Sequence, residues 1–267
     1  MFVTAQDQKS SVLESFELQV AIWKRFAGDF KGAHIEDRET LMISWADTPF
    51  PFWNLIFASA KIHTVEQLTA AVDESAAIAA TKKQSGLICV CSSLLDGTAS
   101  EQSDSILSMA GYPLSVPVTG MTAEHFPITH ACPASLRIER VSDFRILTEL
   151  NCLAYGVPLE AAAHSTLSEQ FAQNAFIYLG YEADRPVCTA AVIVHEDVLY
   201  LALVATDANA RRKGYGEAIV RHALQKAHES TGLTKSALHA TAMGKPVYER
   251  IGFRPVADFR WYMQKHD

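Results

Sequence analysis

Apolar residues recur at helical spacing near the start of the chain: Val12, Phe16, Leu18, Val20, Ile22, Trp23 and Phe26 predict an amphipathic helix over Ser11 to Phe30. The pattern then changes period. Glu39 to Asp47 and Phe52 to Ser59 are short runs rich in Ile, Leu, Phe and Trp, read as two strands about the turn Thr48-Pro49-Phe50-Pro51. Thr64 is a candidate cap for a helix over Val65 to Lys82, and Gly86 closes that region before a buried strand at Leu87 to Cys91. A short helix over Glu101 to Ala110 leads to a strand at Ser115 to Thr119. The stretch Ala123 to Ser135 has weak periodicity and is the linker candidate.

Helix and strand signals alternate more clearly in the second half. A strand at Leu136 to Arg140 precedes a helix from Ser142 to about Tyr155. Ala175 to Glu182 and Val187 to His195 flank a hairpin turn at Asp184-Arg185-Pro186, and Val198 to Thr206 adds a third long strand. Then comes the basic, glycine-rich Arg211-Arg212-Lys213-Gly214-Tyr215-Gly216. It opens a helix whose Ile219, Val220, Ala223, Leu224 and Ala227 share one face, ended by Gly232. A strand at Lys235 to Thr241, a short helix at Pro246 to Arg250 and a strand at Phe259 to Met263 complete a mixed α/β pattern. No low-complexity tract or short repeat interrupts it.

Composition narrows the class. The 267 residues allow one large domain or two medium ones. A net charge of −7 argues against phosphate neutralisation over a broad surface, so no nucleic-acid partner is expected. That charge is uneven: residues 1–130 carry 8 basic and 15 acidic side chains, and the remainder 15 of each. No run of about 18 apolar residues spans a membrane, and Met1 to Ser10 lack a secretory profile; a cytoplasmic protein without membrane partners is expected. Cys89, Cys91, Cys132, Cys152 and Cys188 contain no CxxC pair, which indicates neither a disulfide framework nor a metal site. They read as small apolar residues.

Strand, basic glycine turn, helix is a phosphate-binding arrangement in physical terms. Gly214 and Gly216 let the main chain approach an anion at a helix N-terminus, and Arg211, Arg212 and Lys213 add charge; a solvated basic loop is the plain alternative. Two nucleotide motifs fail on spacing. Glu217-Ala218 stand where a P-loop needs Lys-Ser or Lys-Thr, and Ile219 stands where a dinucleotide fingerprint needs a small residue.

Arg211, Gly214 and Gly216 match the Arg/Gln-x-x-Gly-x-Gly/Ala signature of the GNAT superfamily of acyl-CoA-dependent N-acetyltransferases. The strand Val198 to Thr206 precedes it at the usual place, and Tyr248-Glu249-Arg250-Ile251-Gly252-Phe253 resembles the later Tyr-Glu-x-x-Gly-Phe element. The resemblance covers roughly 136–267. It implies that the amides of Arg211, Arg212, Lys213, Gly214, Tyr215 and Gly216 bind the CoA pyrophosphate, that Leu203, Val204 and Ala205 face the pantetheine, and that the next strand splays away. It also implies direct attack of a neutral amine on acetyl-CoA, with Tyr248 as the acid that protonates the departing thiolate; a core-packing tyrosine is the alternative. One departure stands out. Ala242-Met243-Gly244 replaces the Asn that many members carry shortly before the tyrosine. Glu196 and His239 are the candidate bases, against a plain turn and a structural histidine, and Asn151 and Tyr155 border the acceptor by analogy.

The order of residues 11–120 loosely repeats that of the second half without the basic turn. The whole chain therefore resembles tandem GNAT proteins: a degenerate GNAT-like domain at 1–128, a linker at 129–135 and a catalytic GNAT domain at 136–267. The acidic first half is read as a scaffold whose charge attracts a cationic amine or simply aids solubility. Trp45, Phe50, Phe52, Trp53 and Asn54 are read chiefly as packing, or else as an acceptor pocket or domain interface. The implied function is acetylation of a primary amine on a small molecule or exposed amino group, by a monomer or homodimer. The alternative is a non-catalytic acyl-CoA-binding sensor.

Overall fold

The computed structural model describes residues 5–126 and 132–264, so residues 129–131 of the linker reading lie outside them. Contacts divide the chain into two compact units. The first comprises Met1–Gly120, His239–Ala242 and Pro255–Asp267; the second comprises Met121–Leu238 and Met243–Arg254. This division differs from the end-to-end boundaries read from the sequence, because the last strand packs with the first unit.

In the first unit, α1 (Ala5–Gly28) begins earlier than its apolar stripe, and its Phe16, Val20, Trp23 and Phe26 are buried. Next come β1 (His34–Asp37), β2 (Leu41–Trp45) and β3 (Asn54–Ala58), then α2 (Val65–Ala79), β4 (Leu87–Cys91), α3 (Gly97–Met109) and β5 (Leu114–Ala123). The C-terminal β11 (Arg254–Met263) lies between β4 and β5, giving the order β1-β2-β3-β4-β11-β5. Strands β3 and β4 are parallel, while β2 pairs antiparallel with both of its neighbours and β11 pairs antiparallel with β4.

Alternation along these strands assigns the two faces. Ile43, Ile56, Ile88 and Val90 join Leu68, Val72, Ile106 and Leu107 of α2 and α3 in one core. The intervening Phe57 meets Phe16 of α1 edge-on, with ring centroids 6.5 Å apart, and Cys89 Sγ lies 3.7 Å from Gln19 Oε1 of α1. A sheet covered on both faces explains why Leu-Ile-Cys-Val-Cys is apolar throughout.

Local chemistry fixes the element ends. Thr64 and Gln67 form a reciprocal capping box on α2, and Asp96 caps α3 by accepting from Ala99 N. Buried Asn54 pins the proline turn, its Nδ2 donating to the carbonyls of Thr48 and Ser85 at 2.7 Å each. The aromatic cluster at Trp45, Phe50, Phe52 and Trp53 is buried in this unit's core.

In the second unit, β6 (Leu136–Arg140), α4 (Arg145–Tyr155) and the short α5 (Glu160–Ala163) and α6 (Glu169–Gln173) precede the long strands β7 (Ala175–Glu182), β8 (Arg185–His195) and β9 (Val198–Thr206). Helix α7 (Tyr215–Thr231) crosses over to β10 (Ser236–Thr241), and α8 (Lys245–Ile251) follows. The order is β10-β9-β8-β7-β6, antiparallel from β6 to β9 and parallel between β9 and β10. Strand β1 and helices α5 and α6 have no counterpart among the elements expected from the sequence, and β11 begins at Arg254 rather than Phe259. Cys89, Cys91, Cys152 and Cys188 are buried, as small apolar residues should be, whereas Cys132 is exposed.

Candidate active site

Strand β9 carries a break in register. Thr189 faces Ala205 and Ala191 faces Ala202, so β9 holds an extra residue there, and Leu203 takes a φ of 53°. A left-handed leucine costs roughly 1–2 kcal/mol, so its surroundings must hold it in place. Asn151 Nδ2, on α4, donates to the Leu203 carbonyl at 3.3 Å, and Thr189 Oγ1 donates to the same oxygen. That carbonyl thus already accepts from two side chains. The ladder between β9 and β10 runs only from Ser236↔Leu199 to Leu238↔Leu201, although β9 continues to Thr206.

Past Thr206 the chain makes the basic turn. Arg212 (φ 61°) and Gly214 (φ 81°) are both left-handed and bracket Lys213 just before α7, and left-handed residues in a turn are the kind of backbone that lets successive N–H groups form an anion-binding concavity. The first turn of α7 has no earlier carbonyl for its own N–H groups. A Cβ on Gly216 would lie 3.1 Å from Thr206 Oγ1, so glycine lets the turn press against the strand end. This donor set fits a pyrophosphate.

The charges around the turn are not equivalent. Lys213 Nζ lies 2.8 Å and 3.0 Å from the Glu182 carboxylate oxygens. The Lys213 contact holds the Glu182 carboxyl below its usual range, and Glu182 in turn raises the Lys213 ammonium. Glu182 also accepts from Tyr215 Oη at 2.6 Å, and Ser135 Oγ lies 2.7 Å from that hydroxyl. Lys213 and Tyr215 thus brace the turn. Arg211 Nε donates to Thr206 O at 3.3 Å, while exposed Arg212 makes no side-chain hydrogen bond or ion pair among the described residues.

Tyr248 is buried on α8, with its ring 6.1 Å from that of Phe253. Burial, and secondarily the neighbouring Tyr155, pushes its phenol well above the ordinary tyrosine range, so it stays protonated. Tyr155 shares a face of α4 with Asn151, one turn on. Burial around its hydroxyl raises its pKa as well, although its side chain remains partly exposed.

Helix α8 is tied to α7 by charge. Glu217 Oε1 accepts from Arg221 Nε and Nη2 at 3.1 and 3.0 Å, and Glu217 Oε2 accepts from Arg250 Nε at 3.0 Å. Glu217 and Arg250 stand in the sequence only as members of motifs, and none of the three carries a role there. Only the Glu-to-Arg spacing of four on α7 signalled half of the arrangement.

The two candidate bases are placed differently. Glu196 sits exposed at the tip of the β8–β9 hairpin with a φ of 51°. About 17 Å of strand, at ~3.3 Å per residue, separates Val198 from the Leu203 bulge, so the structure does not bring Glu196 to the turn. His239 is used inside the first unit, where its Nε2 is 3.3 Å from Ser15 Oγ and its ring stacks edge-on to Phe259 at 4.7 Å. Burial lowers its pKa to about 3. It is neutral at pH 7, but far too weak a base to take a proton from an ammonium.

Among the described residues no group of His, Cys, Asp and Glu is arranged for a metal ion, and no helix is long and apolar enough to cross a membrane.

Comparison with known proteins agrees with this geometry. Residues 154–260 match the family model of the acetyltransferase (GNAT) domain. No curated protein matches the chain. Among solved structures, a GCN5-related N-acetyltransferase from Kribbella flavida is similar over 93% of this chain and 96% of its own, at 17% identity and a TM-score of 0.64. A functionally unknown conserved protein from Staphylococcus epidermidis ATCC 12228 is similar over 89% and 96%, at 10% identity and a TM-score of 0.61. A tandem GNAT protein from the clavulanic acid biosynthesis pathway is similar over 76% and 70%, at 12% identity and a TM-score of 0.50. The fold of these proteins thus extends over most of the chain, and residues 154–260, with the bulged strand, the basic turn and the Tyr248 helix, match the GNAT acetyltransferase domain, a match that supports an acyltransferase.

Proposed function

We propose that the protein transfers an acetyl group from acetyl-CoA to a primary amine of a small molecule or an exposed amino group, as a cytoplasmic monomer or homodimer. The second unit does the chemistry and the first serves as a scaffold. The observation that carries the reading is the continuity of the Leu203 bulge, the left-handed turn at Arg212 and Gly214, and the open N-terminus of α7. The amides of Arg211, Arg212, Lys213, Gly214, Tyr215 and Gly216 would hold the pyrophosphate, with Arg211 and Arg212 supplying most of the uncompensated charge. Val204 and Ala205 offer main-chain groups to the pantetheine. When bound, acetyl-CoA supplies an acyl group activated as a thioester.

Tyr248 holds a proton at Oη for the departing sulfur, and burial keeps that proton in place at neutral pH. Its enclosure also excludes water from the phenol. His239 is enclosed in the first unit and Glu196 sits exposed at the hairpin tip, so in this reading the amine enters neutral or loses its proton to water. The same fact favours a second reading, a non-catalytic acyl-CoA sensor. Release of free CoA thiol from acetyl-CoA, measured over a panel of primary amines, separates the two. The enzyme reading expects turnover with at least one amine, with kcat falling at least tenfold in Tyr248→Phe and CoA affinity almost unchanged. CoA binding without product from any amine would favour the sensor.

A further inference from the structure

The geometry points to Glu217 as a positioning residue that fixes the helix bearing Tyr248 to the helix opening from the basic turn. The inference rests on Tyr248 being the proton donor of the proposed reaction.

Helix α8 spans seven residues, and its N-cap, Gly244, makes no side-chain capping bond. Two turns of helix do not hold themselves in water, so tertiary ties must set its orientation. The ties converge on one carboxylate. Glu217 lies in the first turn of α7, immediately after Gly216 of the turn, and receives Arg250 Nε on one oxygen and Arg221 Nε and Nη2 on the other, all at 3.0 to 3.1 Å.

The arginines then grip both ends of α8. Arg221 Nη2 donates to the Arg250 carbonyl at 3.0 Å, and Arg250 Nη1 donates to the Pro246 carbonyl at 3.0 Å. Tyr248 sits between these two carbonyls. Arg221 is buried, so its charge has no access to water as a substitute partner. Arg250 is largely exposed, yet its guanidinium makes two directed hydrogen bonds, one to Glu217 and one to the Pro246 carbonyl. One carboxylate thus links the start of the cofactor-binding helix to the angle at which the phenol is presented. A misplacement of an ångström at a reacting group is worth up to about a hundredfold in rate.

Loss of a purely structural ion pair would lower stability whether or not position 248 carries a hydroxyl. A double-mutant cycle in the full-length chain separates the two. It compares wild type, Glu217→Gln, Arg250→Gln and Tyr248→Phe with the two doubles that contain Tyr248→Phe. Steady-state kcat is measured with acetyl-CoA and an accepted amine, CoA affinity by calorimetry, and protection of residues 245–251 by hydrogen exchange. In the Tyr248 background, Glu217→Gln and Arg250→Gln should each lower kcat about tenfold, with CoA affinity moving less than about threefold. In the Tyr248→Phe background the same changes should lower kcat less than about twofold. Exchange over 245–251 should quicken in both single variants while the α7 core stays protected.

Glu217→Gln strands a buried guanidinium and risks misfolding. Arg250→Gln keeps the Glu217–Arg221 pair and remains informative in that event. Equal losses of kcat in both backgrounds, or unchanged exchange over 245–251, would overturn the positioning role and leave the acid role of Tyr248 standing. Wild-type kcat in Tyr248→Phe, or no turnover by wild type, would overturn the acid reading and this inference with it.

Discussion

His239 shows how far surroundings decide what a side chain can do. Its residue type and strand position marked it as a candidate base, but its ring is enclosed beside Ser15 and Phe259, and desolvation lowers its pKa to about 3. Gly120 makes room for the pair, since a Cβ there would fall 2.3 Å from Ser15 Oγ and 3.3 Å from His239 Nε2. The depressed pKa is also a statement about stability. An unfolded histidine takes a proton below about pH 6.5, whereas the folded one refuses it until about pH 3. The stability His239 confers is therefore complete above pH 6.5 and lost progressively as the pH falls toward 3. Between pH 7 and pH 4.5, urea midpoints of the wild type should report a loss on the order of 2 kcal/mol that is absent in His239→Gln. Parallel pH profiles for the two proteins would show that the ring is not held neutral. The strained Leu203 teaches the complementary lesson. Val-Leu-Tyr-Leu-Ala-Leu-Val-Ala-Thr is nearly all apolar, so no alternation exists in which an inserted residue would be seen, and the bulge was illegible.

Among the elements, the basic turn was the most readable, because glycine spacing and local charge both follow from its backbone geometry. Its two roles for glycine can be separated by experiment. Gly214 and Gly232 bracket α7 with φ values of 81° and 76°, so alanine at either position pays a similar conformational penalty of about 1 kcal/mol. Nothing lies within 4 Å of a Cβ on Gly232, which caps the far end. Calorimetry with CoA should show at least a tenfold loss of affinity for Gly214→Val and no change for Gly232→Ala, with both proteins folded by circular dichroism. Equal affinities would remove the turn from the cofactor site. Long strands such as β7 and β9 were equally legible, since their apolar runs are bounded by turn residues. Strand β1 was not: His-Ile-Glu-Asp is a charged edge strand with Ile35 partly exposed, and edge strands carry charge because it discourages further pairing. The clamp of Glu217, Arg221 and Arg250 was half legible, because Arg250 meets Glu217 only through tertiary structure.

At the scale of the whole molecule, sequence order and spatial order part company at the C-terminus. The division read at residues 129–135 followed a dip in periodicity, and periodicity reports local structure only; it carries no information about which sheet a strand joins. Strand β11 pairs with β4 in the register Phe259↔Cys91 to Met263↔Leu87, within the first unit. It buries Phe259, Trp261 and Tyr262 there, and Tyr262 Oη donates to Asp104 Oδ1 at 2.8 Å on α3. Three such side chains are worth about 5 kcal/mol or more, which is comparable with the whole stability of an ordinary domain. Deleting Pro255–Asp267 should therefore unfold the first unit, although the deletion falls at the far end of the chain from most of its residues. Hydrogen exchange should show β3 and β4 losing protection while β7, β8 and α7 retain theirs. If protection were instead lost in β7 and β8 and kept in β4, the last strand would owe its place to the second unit, and the end-to-end division would be the correct one.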